Sequence, residues 1–251
     1  MLRSINVIRH SFPHRPIFDT AVSHALLRGA SRGEVTETLR LHIPARMVAF
    51  GRRDVTSPGY AEGAVIARAG GFAAVERIAG GRAAVFHPGT IAFAWTIPDP
   101  EPGNGIATRF REISEIVSAA LERMGVEAHI GELPGEYCPG AYSVNARKRT
   151  KIMGVGQRVV RGAAHVGGVI VVNDHNTVRN ILIPVYEALD LAWDPRTVGS
   201  IEQELGAPRD LERILDALLI EFDNRYELQE TLIPERVLIE AEKLAPGHAA
   251  P

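Results

Sequence analysis

The sequence predicts an α+β domain built on a mixed, mainly antiparallel sheet with helices around it. Strand-like segments crowd the middle of the chain, helical periodicities flank them, and glycine or proline pairs punctuate the strands. The regular strand–helix alternation of a doubly wound sheet is absent. One domain is expected over residues 1–245, with residues 246–251 as a frayed tail.

Ile17 to Leu27 carries apolar residues at Ile17, Ala21, Val22, Ala25 and Leu26, which is helical spacing. Leu39 to Ile43 and Met47 to Phe50 read as short strands. Tyr60 to Ala69 reads as a helix stopped by Gly70 and Gly71. Phe72 to Arg77, Ala83 to His87 and Thr90 to Ile97 read as strands, with turns at Gly80–Gly81 and Pro88–Gly89. Pro98 to Gly105 is a loop, and Ile106 to Met124 a long amphipathic helix. Glu127 to Ile130 reads as a strand before a glycine- and proline-rich loop, Gly131 to Gly140. Tyr142 to Val144, Lys151 to Val160 and Ala163 to Val172 form an antiparallel run. Leu211 to Arg225 and Pro234 to Leu244 read as helices.

Composition narrows the function classes. With 28 basic and 30 acidic residues the net charge is -2, which gives no sign of a nucleic-acid binder. The start of the chain lacks the apolar core of a signal peptide, and no apolar run approaches the roughly 20 residues of a membrane helix. A cytoplasmic protein without a membrane partner is expected. There is one cysteine, so no intramolecular disulfide can form and a cysteine-rich zinc site is excluded. The nine histidines show no metal-binding spacing, and no metal is expected.

Three segments could carry chemistry. In Arg77 to Gly89 (RIAGGRAAVFHPG), the glycine pair lets the backbone approach a ligand, and Arg77 and Arg82 add charge. The competing reading is a hairpin turn with surface arginines. The run lacks the lysine and spacing of a Walker loop and the glycine pattern of a dinucleotide fold. In the loop GEYCPG, Cys138 sits between a tyrosine and a proline rather than on an apolar strand, and Pro139 should bias it toward extended geometry. A cysteine there suits acyl transfer, since a thiolate attacks readily and a thioester reopens easily. Otherwise it is a small buried hydrophobe. In TKIMG, Lys151 enters an apolar strand, where it could lower a neighbouring thiol pKa or neutralise an oxyanion or phosphate. Gln157, Arg158 and Arg161 extend that polar edge. His87 and His165, in or beside apolar runs, read by themselves as satisfied structural histidines.

Together these segments resemble the lipoate–protein ligase and octanoyltransferase superfamily. Arg77–Gly89 is similar to its R-x-x-G-G-x-A-V run, Lys151–Gly154 to its K-[IV]-x-G strand, and Leu39–Arg52 to the strand pair before the pocket. The likeness extends from about Ile17 to Val172. Tyr137–Gly140 resembles the Y-C-P-G loop of the cysteine-dependent amidotransferase branch, as does the run downstream of Lys151. The resemblance implies the biotin/lipoate ligase fold, related to class II aminoacyl-tRNA synthetases. It implies Cys138 and Lys151 as catalytic residues, with Arg77, Gly80, Gly81, Arg82, Ala83, His87, Gly154 and Gln157 around the acyl group. It further implies lipoate or octanoate as substrate and a lipoyl domain or glycine-cleavage H-like protein as carrier. In that reading Cys138 takes the acyl group as a thioester, Lys151 polarises its carbonyl, and no cofactor is needed. The alternative is an ATP- and Mg-dependent lipoate–protein ligase acting through lipoyl-AMP. The ligase branch usually has a histidine where Phe86 stands and often carries a C-terminal accessory domain for which little chain is left. A third possibility is a non-catalytic lipoate- or biotin-binding protein of the same fold.

Overall fold

The computed structural model describes residues 2–251. Its elements in chain order are β1 (Arg3–Ile8), α1 (Pro16–Ser31), β2 (Thr38–His42), β3 (Met47–Phe50), α2 (Arg52–Val55), α3 (Tyr60–Ala69), β4 (Ala73–Glu76), β5 (Ala84–Phe86), β6 (Thr90–Pro98), α4 (Ile106–Arg123), β7 (Ala128–Ile130), β8 (Val144–Ala146), β9 (Thr150–Val160), β10 (Ala163–Val171), α5 (His175–Ala188), α6 (Ile201–Leu205), α7 (Leu211–Asp223), β11 (Tyr226–Glu230) and α8 (Glu235–Leu244). Eight strands form one sheet in the order β11-β1-β2-β6-β10-β9-β8-β7, and β4-β3-β5 form a smaller one. In the large sheet β1 runs parallel to β2 and β11, and the remaining neighbours are antiparallel. The expected α+β architecture with a mixed, mainly antiparallel sheet is therefore present.

The two faces of the large sheet differ because strand side chains alternate. One face presents Leu39, Leu41, Phe93, Trp95, Val166 and Ile170 to the apolar stripes of α4 and α7, forming the main core. The opposite face carries Arg40 beside Ala94 and Gly167, and His42 beside Ala92 and Val169. Gly156 pairs with Gly167 and extends this face onto β9. Small residues there leave room between the sheet and α1, and that room holds the site.

Six features were absent from the sequence expectation: β1, β11, the separate three-stranded sheet, α5 and the short helices α2 and α6. α5 contains Pro184, which removes one helical hydrogen bond. Its other side, Val178, Ile181, Leu182, Val185 and Tyr186, is buried and outweighs that loss. The expected strand at Tyr142 to Val144 lies two residues later, at Val144–Ala146. The frayed tail is a further correction. Ala250 N donates to Ala74 O at 3.2 Å, and His248 and Ala250 are buried, so residues 246–251 pack against β4.

Trp95 is fully buried, meets Phe222 and Tyr226 edge-on, and donates from Nε1 to Glu37 Oε1 at 2.9 Å. Trp95→Ala should cost about 3–5 kcal/mol in denaturant unfolding. A loss below about 1 kcal/mol would mean that α7 and the sheet do not share this core.

Candidate active site

The loop after β7 folds around a buried ion pair. Lys151, on β9, is fully buried, and its Nζ donates to Glu136 Oε1 (2.9 Å), Tyr137 O (2.9 Å) and Cys138 O (2.8 Å). Glu136 also accepts from Ser143 Oγ at 2.6 Å, Gly140 N at 3.2 Å and Leu133 N at 3.1 Å. Gly154 makes room for the lysine, since a Cβ there would sit 3.2 Å from Lys151 Cε. Three acceptors consume the three protons of the ammonium. Lys151 therefore reaches the cysteine backbone rather than standing free in the cleft.

Cys138 is held from both sides. Its N–H donates to Tyr186 Oη at 2.8 Å, and that hydroxyl donates to Ala83 O at 3.0 Å. The expected extended geometry is not found: Cys138 has φ of 43°, in the left-handed region. Such backbone costs roughly 1–3 kcal/mol in a non-glycine residue. Here the bonds to its N–H and C=O hold it there and aim the half-buried thiol at the glycine run.

The Sγ accepts from Arg77 Nη2 and from Arg82 N, each at 3.3 Å. Arg77 Nη2 also donates to Arg82 O at 2.6 Å, and Arg82 is anchored by Asp54 at 3.3 Å. Burial pushes the thiol pKa up, but Arg77, Lys151 and the Arg82 N–H outweigh it and hold it below its ordinary value. Gly81 has φ of 104°, and a Cβ there would meet Arg77 Nη2 and lie 2.9 Å from Cys138 Sγ. Gly51 is just as constrained, since its Cβ would strike the Gly81 carbonyl.

Arg77, which donates to this thiol, also lines a cavity of about 70 Å³. Arg77, Ile78 and Ala79 form one part of its wall, and Met47, Phe86, Phe93 and Gly168 another. The sequence-predicted residues thus converge unevenly. Arg77, Gly81, Arg82 and Lys151 meet at Cys138. Ala83 contributes its carbonyl through Tyr186, and Gly80 N donates to Gln157 O at 3.4 Å. The Gln157 side chain instead accepts from Arg109 Nε at 2.8 Å and donates to Ile106 O at 3.2 Å, away from the thiol. His87 forms the β5–β6 turn, with Nδ1 accepting from Gly89 N at 3.0 Å, and does not line the cavity. The sequence expectation missed Glu136 and Tyr186. Glu136 had a legible signal, an acid two residues before the cysteine, whereas Tyr186 comes from the unforeseen α5.

Alkylation of Cys138 by iodoacetamide should show a pH midpoint below the ~8.5 of a free thiol. Arg77→Met removes a cation that favours the thiolate, so its midpoint should move up. An unmoved midpoint would mean that Arg77 does not act on the sulfur. Gly81→Leu should abolish both alkylation and acyl uptake in a protein that still melts cooperatively. Unchanged reactivity would displace the acyl pocket from this loop.

Among known proteins, the chain is similar to the octanoyl-[GcvH]:protein N-octanoyltransferase of Geobacillus kaustophilus, at 26% identity over 217 residues, covering 81% of this chain and 76% of that one. Its structure resembles the bipartite lipoate protein ligase of Thermoplasma acidophilum with TM-score 0.75, 18% identity and coverage of 97% and 92%. It also resembles lipoate-protein ligase A bound with ATP, with TM-score 0.74, 18% identity and coverage of 98% and 95%. At those identities the structural likeness establishes the fold. The family model described as the lipoyl protein ligase A/B catalytic domain matches residues 15–223, and the chain belongs to that family.

Proposed function

We propose that this chain transfers an octanoyl or lipoyl group through a thioester on Cys138 to a lysine of a lipoyl-domain or glycine-cleavage H-like carrier. The observation that carries this reading is the environment of the sulfur. A lone cysteine in a strained loop accepts two hydrogen bonds, lies within the field of two cations, and shares Arg77 with a cavity that has an apolar wall. A cysteine that served only as packing would need none of these. The name of the Geobacillus relative, which joins GcvH to protein octanoylation, supports the same chemistry.

The Cys138 thiolate attacks the acyl carbonyl, and the donor leaves either as a thiolate or as an amine that takes a proton from solvent. As the sulfur becomes a thioester it loses its charge and becomes a poor acceptor. The Arg77 guanidinium and Arg82 N–H are then released toward the carbonyl oxygen, where they stabilise the oxyanion of each tetrahedral intermediate. The acceptor lysine, as free amine, attacks the thioester and regenerates the thiolate, giving ping-pong kinetics. Lys151 positions the nucleophile and stabilises its anion through space, and none of its protons needs to reach the substrate. No nucleotide takes part in this scheme. No helix among the described residues is long and apolar enough to cross a membrane.

Cys138→Ala should lower turnover by several powers of ten, and Cys138→Ser nearly as much. Lys151→Ala should fail as well and should also cost stability, about 3–5 kcal/mol, because Glu136 is left as an unpaired buried charge. Intact mass after exposure to an acyl donor should show an added acyl group that hydroxylamine removes and that Cys138→Ala lacks. Full ATP-dependent activity in Cys138→Ala, with no adduct on the wild type, would replace this reading with the lipoyl-AMP ligase.

A further inference from the structure

The cavity that Arg77 lines is not apolar throughout. Asp19, Ser23, His42 and His165 line it together with its apolar residues. Asp19 and Ser23 come from α1, His42 from β2 and His165 from β10. All four are more than nine-tenths buried, with exposures of 3%, 6%, 5% and 4% in that order.

Part of this cluster is fully accounted for. The buried Arg40 donates to Asp19 Oδ1 at 2.5 Å, to Asp19 O at 3.1 Å, to Ser23 Oγ at 2.8 Å and to His10 O at 3.0 Å. Burial would raise the Asp19 carboxyl, but His42 and Arg40 hold it below the usual carboxylate range. Burial lowers the His165 pKa to about 4, and also lowers that of His42, so at neutral pH both imidazoles are uncharged. His42 Nε2 lies 3.0 Å from Asp19 Oδ2 and pairs with it.

The remainder has no partner. His42 Nδ1 and His165 Nδ1 are buried polar atoms that make no hydrogen bond. Buried polar atoms are nearly always paired, because leaving one unpaired forfeits its hydration. Here Asp19, His42 and His165 line one cavity together with Ala92, Ala94 and Gly167, which lack the bulk to fill it. A plain alkyl end would bury these atoms without pairing any of them. A chain ending in a hydrogen-bonding heteroatom would pair at least one.

Resting on the reading of this cavity as the acyl pocket, we propose that Asp19, His42 and His165 form a specificity surface for the distal end of the acyl chain. They favour an acyl group that ends in heteroatoms, a hydroxyl or the sulfurs of a lipoyl or dihydrolipoyl group, over an unsubstituted octanoyl chain. The recognition is neutral hydrogen bonding rather than charge pairing, since Arg40 already balances Asp19.

The test measures thioester formation on Cys138 by intact mass, using small-thiol thioesters of octanoate, 8-hydroxyoctanoate, lipoate and dihydrolipoate. The wild type should load at least one heteroatom-bearing group on the order of tenfold faster than octanoyl, and the fastest arm identifies which heteroatom is read. His165→Leu and His42→Leu should bring that ratio to one or below, while His165→Gln, which keeps a polar group of similar size, should retain most of it. Cooperative thermal melts exclude misfolded variants. Octanoyl loading as fast as every other arm overturns the proposal, as does a ratio unchanged in both folded leucine variants. Thermal shift of Cys138→Ala with the four free acids separates this inference from the transferase reading. If no thioester forms but the heteroatom-bearing acids still stabilise the protein more than octanoate, specificity stands and the cysteine mechanism falls. Equal stabilisation by octanoate removes the specificity surface whatever the fate of the cysteine.

Discussion

The site depends on one buried charge. An ammonium taken out of water is costly, and it persists only where every proton finds an acceptor. Lys151 meets that condition by drawing three oxygens of one loop onto its Nζ, two of them the backbone carbonyls of Tyr137 and Cys138. The geometry of the loop is therefore a consequence of solvating the lysine. The left-handed backbone at Cys138 follows, since its carbonyl is tied to β9 while its N–H is tied to Tyr186 on α5. The same charge that fixes the cysteine in place also favours its thiolate. Position and reactivity thus come from one interaction and cannot be separated by evolution or by mutation without cost.

A second constraint is steric. Cys138 gains its donors only if the glycine run lies against the sheet and against β3. Ala79 Cβ and Gly80 O sit where a Gly156 side chain would be, and Gly51 touches the Gly81 carbonyl. The row Arg40–Ala94–Gly167–Gly156 crosses four strands with one large side chain in it. A sheet face this bare would ordinarily be a packing defect. Here it leaves a cavity bounded by α1 and by Arg77, Ile78 and Ala79, the one proposed to take the acyl chain.

Much of this was legible in the sequence where the signal was local. Tyr60–Ala69 and Met47–Phe50 could be bounded from periodicity and flanking glycines alone. Arg77, Gly81, Cys138 and Lys151 stood out because each breaks the pattern around it: glycines in a strand-rich run, a cysteine in a loop, a lysine in an apolar strand. What stayed hidden depends on long-range contact. β1 and β11 are neighbours across more than two hundred residues, and nothing in either segment announces the other. α5 contains a proline and β-branched residues, and only its packing against α3 and the small sheet makes it a helix. Tyr186 was lost with it. His165 was read as a satisfied structural histidine, yet its Nδ1 has no partner, and pairing of this kind cannot be read from neighbours in sequence.

In the proposed thioester route, labour is divided along the cavity. Thioester formation and aminolysis are opposite passages through similar tetrahedral intermediates, so the groups at the sulfur must serve both and cannot favour one acyl chain over another by much. Discrimination has to come from contacts remote from the carbonyl, whose binding energy can be used in either direction. The α1-facing side of the sheet is where this fold can place such contacts, because its residues alternate away from the core and can vary without disturbing Trp95 or its neighbours. A change of acyl specificity then requires substitutions at positions such as His42 and His165, on strands that hold the pocket, and leaves the Lys151–Glu136 pair and the Cys138 loop intact. Chemistry and selection are thus carried by different elements, and the first can be conserved while the second drifts.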